Sequence, residues 1–404
     1  MDSLTQIVLG AAVGEVVAGK KAGNRALVWG AVGGTIPDLD VLANLVTDEI
    51  TALAFHRGIS HSIFFAVLAP WAFGWLVHRL YDSGFYQKRG YRIGLSIAWL
   101  AFLVFLFVGI PMANGAFSWL SALLGISLAG GIGWWLSRTY WQKELESVEV
   151  PYQTWVNLFF WSIFTHPLLD SCTAYGTQLF QPFWDYRVAF NNIAVADPIY
   201  TIPFLICIIL VSRFTKDHKW RPIINWIGIG LSTAYLLFTF YNKYQVDQVF
   251  TKAWEVRGIQ YHRHMTAPTI LNNILWQGVA EGDTAYYHGV YSLWDEEPVI
   301  DTIHILPKNH DWLRGHEDDP EIATLKWFSD GYYNVIEKED GTWQFNDLRY
   351  GGFNGDFSRP EDYIFRFHLI RDGEEWKATQ RGVEPEFEED ALPKFWRRIR
   401  GIKE

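Results

Sequence analysis

The chain has 404 residues, half of them hydrophobic, with 21 Trp, 28 Phe and 19 Tyr. Up to residue 244 it carries 16 Lys and Arg against 14 Asp and Glu, and beyond it 18 against 30, so the formal charge of -10 belongs to the C-terminal part alone. An acidic soluble part argues against a nucleic-acid partner, and two cysteines, Cys172 and Cys207, are too few for a disulfide framework.

Residues 4–18 are apolar except for Glu15, and Lys20, Lys21 and Arg25 follow. No basic stretch precedes this run, so no cleavable signal peptide is expected. Residues 26–36 are apolar and Gly-rich and lead into Pro37-Asp38-Leu39-Asp40. Both runs are shorter than the roughly 20 residues of a full span. The second can continue to residue 46 with a break at Pro37. Residues 63–80, 93–110 and 117–136 read as spans, the last two joined by a short turn at 111–115. Residues 155–169 are apolar and end in Thr165-His166-Pro167-Leu168-Leu169-Asp170. A long loop runs to Asp197, and residues 198–212 and 223–241 read as the last two spans.

Loops 19–25, 79–92, 137–150 and 213–222 hold nearly all the basic charge of this part, whereas the alternate loops hold Arg57, Arg187 and little else. By the positive-inside rule this fits an eight-helix topology with both ends outside. Asp2, Asp38, Asp40, His56, His61, His166, Asp170 and Asp197 then fall at the same, extracytoplasmic, helix ends. From about residue 242 the chain is soluble in character. Strands are expected at 274–280, 284–293 and 363–370, a helix at 321–328, and a hairpin of 332–337 with 342–348 across Glu339-Asp340-Gly341. The tail Phe395-Trp396-Arg397-Arg398-Ile399-Arg400 fits a membrane-surface segment or an ordinary basic terminus. The expected fold is mainly α: a polytopic membrane bundle of about seven or eight helices with a small extramembrane α+β domain, mostly β. The expected domains are 1–244, membrane-embedded with the metal site, and 245–404, acidic and soluble.

The chemistry-bearing residues lie in three short motifs. Asp38 and Asp40 flank a Pro break that can turn both carboxylates the same way. His56 and His61 are five apart in His56-Arg57-Gly58-Ile59-Ser60-His61-Ser62, which fits a loop entering a helix. His166 and Asp170 are four apart, one above the other on a helix. Carboxylates and imidazoles in this mixture suit one or two divalent ions, zinc first and manganese second. Each also has a bland reading. The aspartates can be caps or turn residues, and His166-Pro167 a helix breaker. Asp2 and Asp197 are weaker candidates, and Asp197 before Pro198 reads as a helix cap. Glu15 reads as a salt-bridged residue near Lys20 and Lys21. His78 falls on the cytoplasmic side, and His262, His264, His304, His310 and His316 lack ligand spacing. Arg57 and Arg187 are the basic residues expected beside the site, either as clamps for an anionic substrate or as partners of neighbouring aspartates, Asp185 for Arg187. Ser62 reads as a cap for the helix it opens.

Together these motifs resemble the YdjM-type family of inner-membrane-associated, metal-dependent hydrolases. The likeness rests on Pro37–Asp40, on the His56–Ser62 motif and on His166-Pro167-Leu168-Leu169-Asp170. It also rests on Tyr175-Gly176-Thr177-Gln178-Leu179-Phe180-Gln181-Pro182-Phe183 and on Asp197-Pro198-Ile199-Tyr200, and it covers roughly residues 1–245. Many members carry His after the Thr near the N-terminus, where this chain has Thr5-Gln6. The resemblance implies a multi-pass protein of the cytoplasmic (inner) membrane with a metal-hydrolase site. The resulting expectation is metal-activated water attacking an ester or phosphoester, of a lipid or lipid-linked substrate, at the outer face of the bilayer. Asp38, Asp40, His56, His61, His166 and Asp170 are the expected ligands and catalytic residues, Arg57 and Arg187 the substrate contacts. The C-terminal domain is expected outside the cytoplasm. The alternative is a non-enzymatic metal-binding scaffold or transporter. A transport path needs polar residues through the helix interiors, where the sequence offers little beyond Glu15. Oligomeric state has no signature here.

Overall fold

The computed structural model describes all residues except 114–117, 146, 340, 353–354, 374, 382–390 and 404. Asn114 and Gly115 of the expected 111–115 turn, and Asp340 of the hairpin turn, lie outside the described residues. Every one of the eight apolar segments is helical: α1 (Ser3–Ala22), α2 (Asn24–Thr35), α4 (Ile63–Asp82), α5 (Arg89–Val104), α7 (Trp119–Thr139), α8 (Tyr152–Asp170), α9 (Pro198–Ser212) and α10 (Trp220–Val256). Two short helices, α3 (Glu49–Phe55) and α6 (Ile110–Ala113), lie between them. Among the described residues α4, α5 with its continuation to Gly109, α7 and α10 are long and apolar enough to cross a membrane, and α9 is apolar but shorter. A 50° bend separates α2 from a 310 turn at Pro37–Leu45, and the pair together is apolar enough for one broken span. The break falls where Pro37 removes a backbone donor. The exposed face of α7 carries Trp119, Leu120, Leu123, Leu124, Trp134 and Trp135. Water would not tolerate so large an apolar surface, and lipid does.

The chain divides into two compact units, Met1–Pro70 with Leu158–Glu404, and Trp71–Asn157. In the second, Tyr81 stacks on Trp155 at 5.3 Å and Arg92 donates to the Tyr140 carbonyl at 2.8 Å. The first carries all the motif residues, and its helix packing explains how they are positioned.

Two glycine pairs, Gly10 and Gly14 on α1 and Gly30 and Gly34 on α2, are each four apart, one helical turn. They let the two backbones touch, as small residues do in membrane helices. A Cβ on Gly30 would sit 2.3 Å from the Gly10 carbonyl oxygen, and one on Gly14 would sit 2.2 Å from the Ala26 oxygen. A Cβ on Gly33 would sit 2.8 Å from the Ser162 Cβ and 3.3 Å from Phe159 Cδ1 of α8. Backbone cannot move aside as a side chain can. Gly30→Val is therefore expected to lower stability by about 1–3 kcal/mol, read as a lower melting temperature of the detergent-solubilised protein. An unchanged melting temperature would show that the crossing is looser than described.

At the far end of α1, Glu15 is buried against Arg221 of α10, with Oε1–Nε 2.7 Å and Oε2–Nη2 2.6 Å. This corrects the expectation that Glu15 pairs with Lys20 and Lys21. Helical proximity suggested the lysines, but the tertiary partner is 206 positions away.

Past α10 the chain forms two four-stranded antiparallel sheets, β1-β2-β3-β4 and β5-β6-β7-β8. The first contains β1 (Arg263–Pro268), β2 (Leu275–Glu281), β3 (Ala285–Ser292) and β4 (Ile303–Pro307). The second contains β5 (Tyr333–Glu337), β6 (Trp343–Asp347), β7 (Arg366–Asp372) and β8 (Glu375–Arg381). The helix α11 (Pro320–Phe328) lies between them in sequence, and α12 (Ala391–Ile399) follows. The fold class is thus a helical membrane part with a small β-rich C-terminal part. The second half of α10 is not apolar stalk only, because Val246, Phe250, Ala253 and Trp254 form a core with Trp276, Ala280 and Tyr291 of the first sheet. Ile50 of α3 is buried in the core of the second sheet with Val335, Phe345 and Phe367. The β-rich part therefore packs on the α3 side, next to the His56 motif. The basic tail docks on the protein: Arg398 of α12 pairs with Asp295 at 2.7 Å, and Ser292 Oγ donates to the Ile399 carbonyl at 2.6 Å.

Candidate metal centre

Four side chains from three segments meet at one point. Asp38 comes from the turn after α2, His61 from a short 310 turn (Ile59–His61) before α4, and His166 and Asp170 from the last turn of α8. One donor atom of each lies within 4.8 Å of all the others. The His61 and His166 Nε2 atoms are 3.1 Å apart. His61 Nε2 is 3.3 Å from Asp170 Oδ2 and 3.4 Å from Asp38 Oδ1. His166 Nε2 is 3.4 Å from each of the same two oxygens. Donors placed tetrahedrally at 2.0–2.1 Å from an ion stand about 3.3–3.4 Å from one another. Five of the six donor pairs thus have the spacing of a divalent-cation site, and the sixth, Asp38 to Asp170, lies within 4.8 Å.

Hydrogen bonding aims these donors inward. His166 Nδ1 donates to the Gly34 carbonyl at 2.6 Å, and His61 Nδ1 lies 3.2 Å from Asp40 Oδ2. A ring whose Nδ1–H is engaged offers its Nε2 lone pair to the centre, as metal-bound histidines do. Two such lone pairs at 3.1 Å repel unless a cation sits between them. Asp170 Oδ2 is buried with no hydrogen-bond partner. Its other oxygen accepts from Gln6 Nε2 at 3.0 Å and from the Met1 α-amino group. Burial works against a charged His61, but its hydrogen bonds to Asp170, Asp38 and Asp40 outweigh this and push the imidazolium up to about 10. A metal ion at the cluster would displace that proton from His61.

Asp40 and His56 were expected among the ligands, and neither is in the four-residue group. They stand behind it. Asp40 accepts from the Arg57 N–H at 2.9 Å and from Ser60 Oγ at 3.0 Å through Oδ2, and its Oδ1 lies 2.8 Å from His56 Nδ1. Arg57 adopts a left-handed backbone, φ 57°, which is rare for a side chain. That turn carries His56 and His61 to opposite sides of the same carboxylate. Side-chain exposure is 0% for His61, His166 and Asp170, 18% for Asp38 and 30% for His56. Among the described residues of this site, Asp38 and His56 are the ones that reach solvent.

Arg57 is turned inward rather than toward an open face. Its Nε is 3.2 Å from Asp170 Oδ2 and its Nη1 donates to Thr173 Oγ1 at 2.9 Å. Arg187 does not pair with Asp185. Its Nε and Nη2 donate to the Tyr175 carbonyl at 3.2 and 2.6 Å. Asp2 caps α1 by accepting from Thr5 N, and Asp197 caps α9 by accepting from Ile199 and Tyr200 N and from Tyr235 Oη at 2.9 Å. Both sit at the same helix ends as the cluster, outside it. Ser62 Oγ accepts from Phe65 N at 3.0 Å and so caps α4. Composition and spacing alone do not point to Gln6, Gly34 or Tyr175, although the resemblance to the family singles out position 6 and Tyr175. Gln6 had a signal, being a lone amide in an apolar helix. A backbone carbonyl such as that of Gly34 has none.

This fold and this cluster define a multi-helix membrane protein with a possible metal-binding site. The chain belongs to the YdjM inner membrane protein family, whose model matches residues 1–113 and 120–246. The match includes all four clustered residues and ends before the β-rich part. No curated protein and no solved structure matches the chain.

Proposed function

We propose that this protein is a membrane-bound, divalent-metal-dependent hydrolase with zinc, or else manganese, at Asp38, His61, His166 and Asp170. The observation that carries the reading is the close set of four donors with both imidazoles oriented from behind. A divalent ion at such a site lowers the pKa of water and polarises a scissile bond. His56 and Asp40 supply the proton chemistry in this reading. Asp40 holds His56 Nδ1, which leaves Nε2 of this partly exposed ring to move a proton to or from the substrate. Arg57 holds Asp170 in place. The substrate is an ester or phosphoester of a lipid or lipid-linked molecule at the outer face. The loop charges and the closeness of the cluster to the helix ends support that placement. The 1–244 part carries the chemistry and the 245–404 part lies outside the cytoplasm, on the side of the site.

One observation favours the scaffold alternative. Four protein donors fill a tetrahedron, as in structural zinc sites. The exposed edge at Asp38 favours the enzyme, because it leaves room for a fifth ligand. The deciding experiment screens protein loaded with zinc or manganese against phospholipid and generic phosphoester substrates. Turnover is expected in the parent, and His56→Gln is expected to keep its metal and lose about 10²–10⁴-fold in kcat. Metal retention without turnover of any substrate by the parent would leave the scaffold as the reading. Equal turnover in His61→Ala would remove the metal from the mechanism.

A further inference from the structure

A line of alternating guanidinium and aromatic groups leads from the metal cluster into the β-rich part. Arg57 lies 3.2 Å from Asp170 and its Cζ is 4.7 Å from the Tyr175 ring centre. Arg187 Cζ is 4.8 Å from the same ring and 4.8 Å from the Phe328 ring. Arg349 Cζ is 4.9 Å from Phe328, and its Nη2 pairs with Asp347 at 2.6 Å. The series therefore reads Asp170, Arg57, Tyr175, Arg187, Phe328, Arg349, Asp347. Each terminal arginine has a carboxylate. The central one has none among the described residues, and its hydrogen bonds go to backbone carbonyls. Two donors beside it are left over. Arg187 Nη1 is buried without a hydrogen-bond partner, and so is the hydroxyl of Tyr350, the residue after Arg349. Arg349 Cζ is 5.6 Å from the Tyr350 ring centre and shares the Phe328 ring with Arg187, so Tyr350 stands at the Arg349 end of the same series.

Aromatic faces attract a cation but do not neutralise it. Arg187 is partly buried, and a cation that loses solvent without gaining a counter-ion is costly, to which the unmade hydrogen bond at its buried Nη1 adds. An oxyanion answers both deficits, because guanidinium and phenol donate together to phosphate geometry. We propose that Arg187 and Tyr350 form a phosphate-binding subsite beside the metal cluster, with the loop after α8 and the β-rich part each giving one donor. Its role in holding a phosphate-bearing substrate rests on the hydrolase reading; the binding itself does not. The phosphate can belong to a lipid headgroup or be free.

The test measures thermal stabilisation of the full chain in a phosphate-free detergent, with inorganic phosphate in one arm and micelles doped with phosphatidylglycerol in the other. Both arms are run on metal-loaded and on chelator-treated protein. Stabilisation is expected in both metal states, since the subsite is not the ion. Strong response to phosphatidylglycerol assigns a headgroup, and response to inorganic phosphate alone assigns a free anion; either supports the subsite. Arg187→Gln is expected to weaken binding by about tenfold or more and Tyr350→Phe by about fivefold. Tyr350→Phe removes a hydroxyl with no partner among the described residues, so it keeps the fold and covers the case in which Arg187→Gln does not. No stabilisation in either arm, or equal stabilisation in the parent and both variants, would overturn the proposal. Stabilisation seen only with metal and unchanged in the variants would also overturn it, while leaving the hydrolase reading intact.

Discussion

Replacing His61 by alanine is expected to remove bound metal from the purified protein while leaving it folded. His61 is the hub of the cluster, since its Nε2 is within 3.4 Å of donor atoms on His166, Asp170 and Asp38. A divalent ion held with about 10–16 kcal/mol and shared among four donors loses roughly 2.5–4 kcal/mol with one of them. That is about two to three orders of magnitude in affinity. The fold survives because each partner of His61 has another contact. Asp40 keeps Arg57 N, Ser60 and His56, Asp170 keeps Gln6, and His166 keeps the Gly34 carbonyl. Asp170 needs a gentler variant. Asp170→Ala would strand Arg57, 3% exposed, without its carboxylate, at a cost of about 3–5 kcal/mol. Asp170→Asn keeps a polar group of the same shape and is expected to lose metal with a smaller loss of stability. Elemental analysis by plasma mass spectrometry, alongside circular dichroism and a melting curve, reads both. One metal per chain retained in both variants would sink the site.

Parts of this arrangement were written in local spacing. His166 and Asp170 share a helix face because they are four apart. Asp38 follows a proline that had to break the helix. The separation of His56 from His61 was not readable in the same way. It depends on a left-handed turn at Arg57, a residue type that gives no warning of it, and on Asp40 being seized by the backbone N–H of that turn. The direction of Arg57 was equally hidden, because a guanidinium beside a site serves a ligand or a substrate with the same sequence signature. In the β-rich part the expected strands include both central strands of each sheet, where Val, Tyr and Phe alternate. Strands β1, β4 and β8 were not foreseen, and all three lie at sheet edges. Each breaks the apolar alternation: β1 with Arg263, His264 and Pro268, β4 with His304 and Pro307, β8 with Glu375, Lys377 and Arg381. Charges and prolines are what edge strands carry to discourage pairing with other chains. The eight apolar helices were legible, because long apolar runs facing lipid have few other fates, whereas the short helices α3 and α6 have no such signal.

Arg221→Met is expected to destabilise the protein by about 3–5 kcal/mol, without a direct effect on the metal cluster. Arg221 is 1% exposed and Glu15 7%. The guanidinium meets Glu15 in a two-pronged bond and also donates through Nη1 to Asn24 Oδ1 and the Phe214 carbonyl, at 2.7 Å each. It thus ties α1, the start of α2, the loop after α9 and α10 together. Removing it leaves a buried carboxylate in an apolar bundle, with no water to take its place. Removing both charges is a different case, because two well-packed apolar side chains need no solvation. Glu15→Leu with Arg221→Met is therefore expected to recover most of the loss. Nine residues of α1 separate Gln6 from Glu15, roughly 13 Å along the axis, so metal content below the melting temperature is expected to match the parent. A melting curve in detergent measures all three forms. A single variant as stable as the parent would show that the pair contributes nothing net. A double variant as unstable as Arg221→Met would show that the side chain acts through its Asn24 and Phe214 bonds rather than through the charge of Glu15.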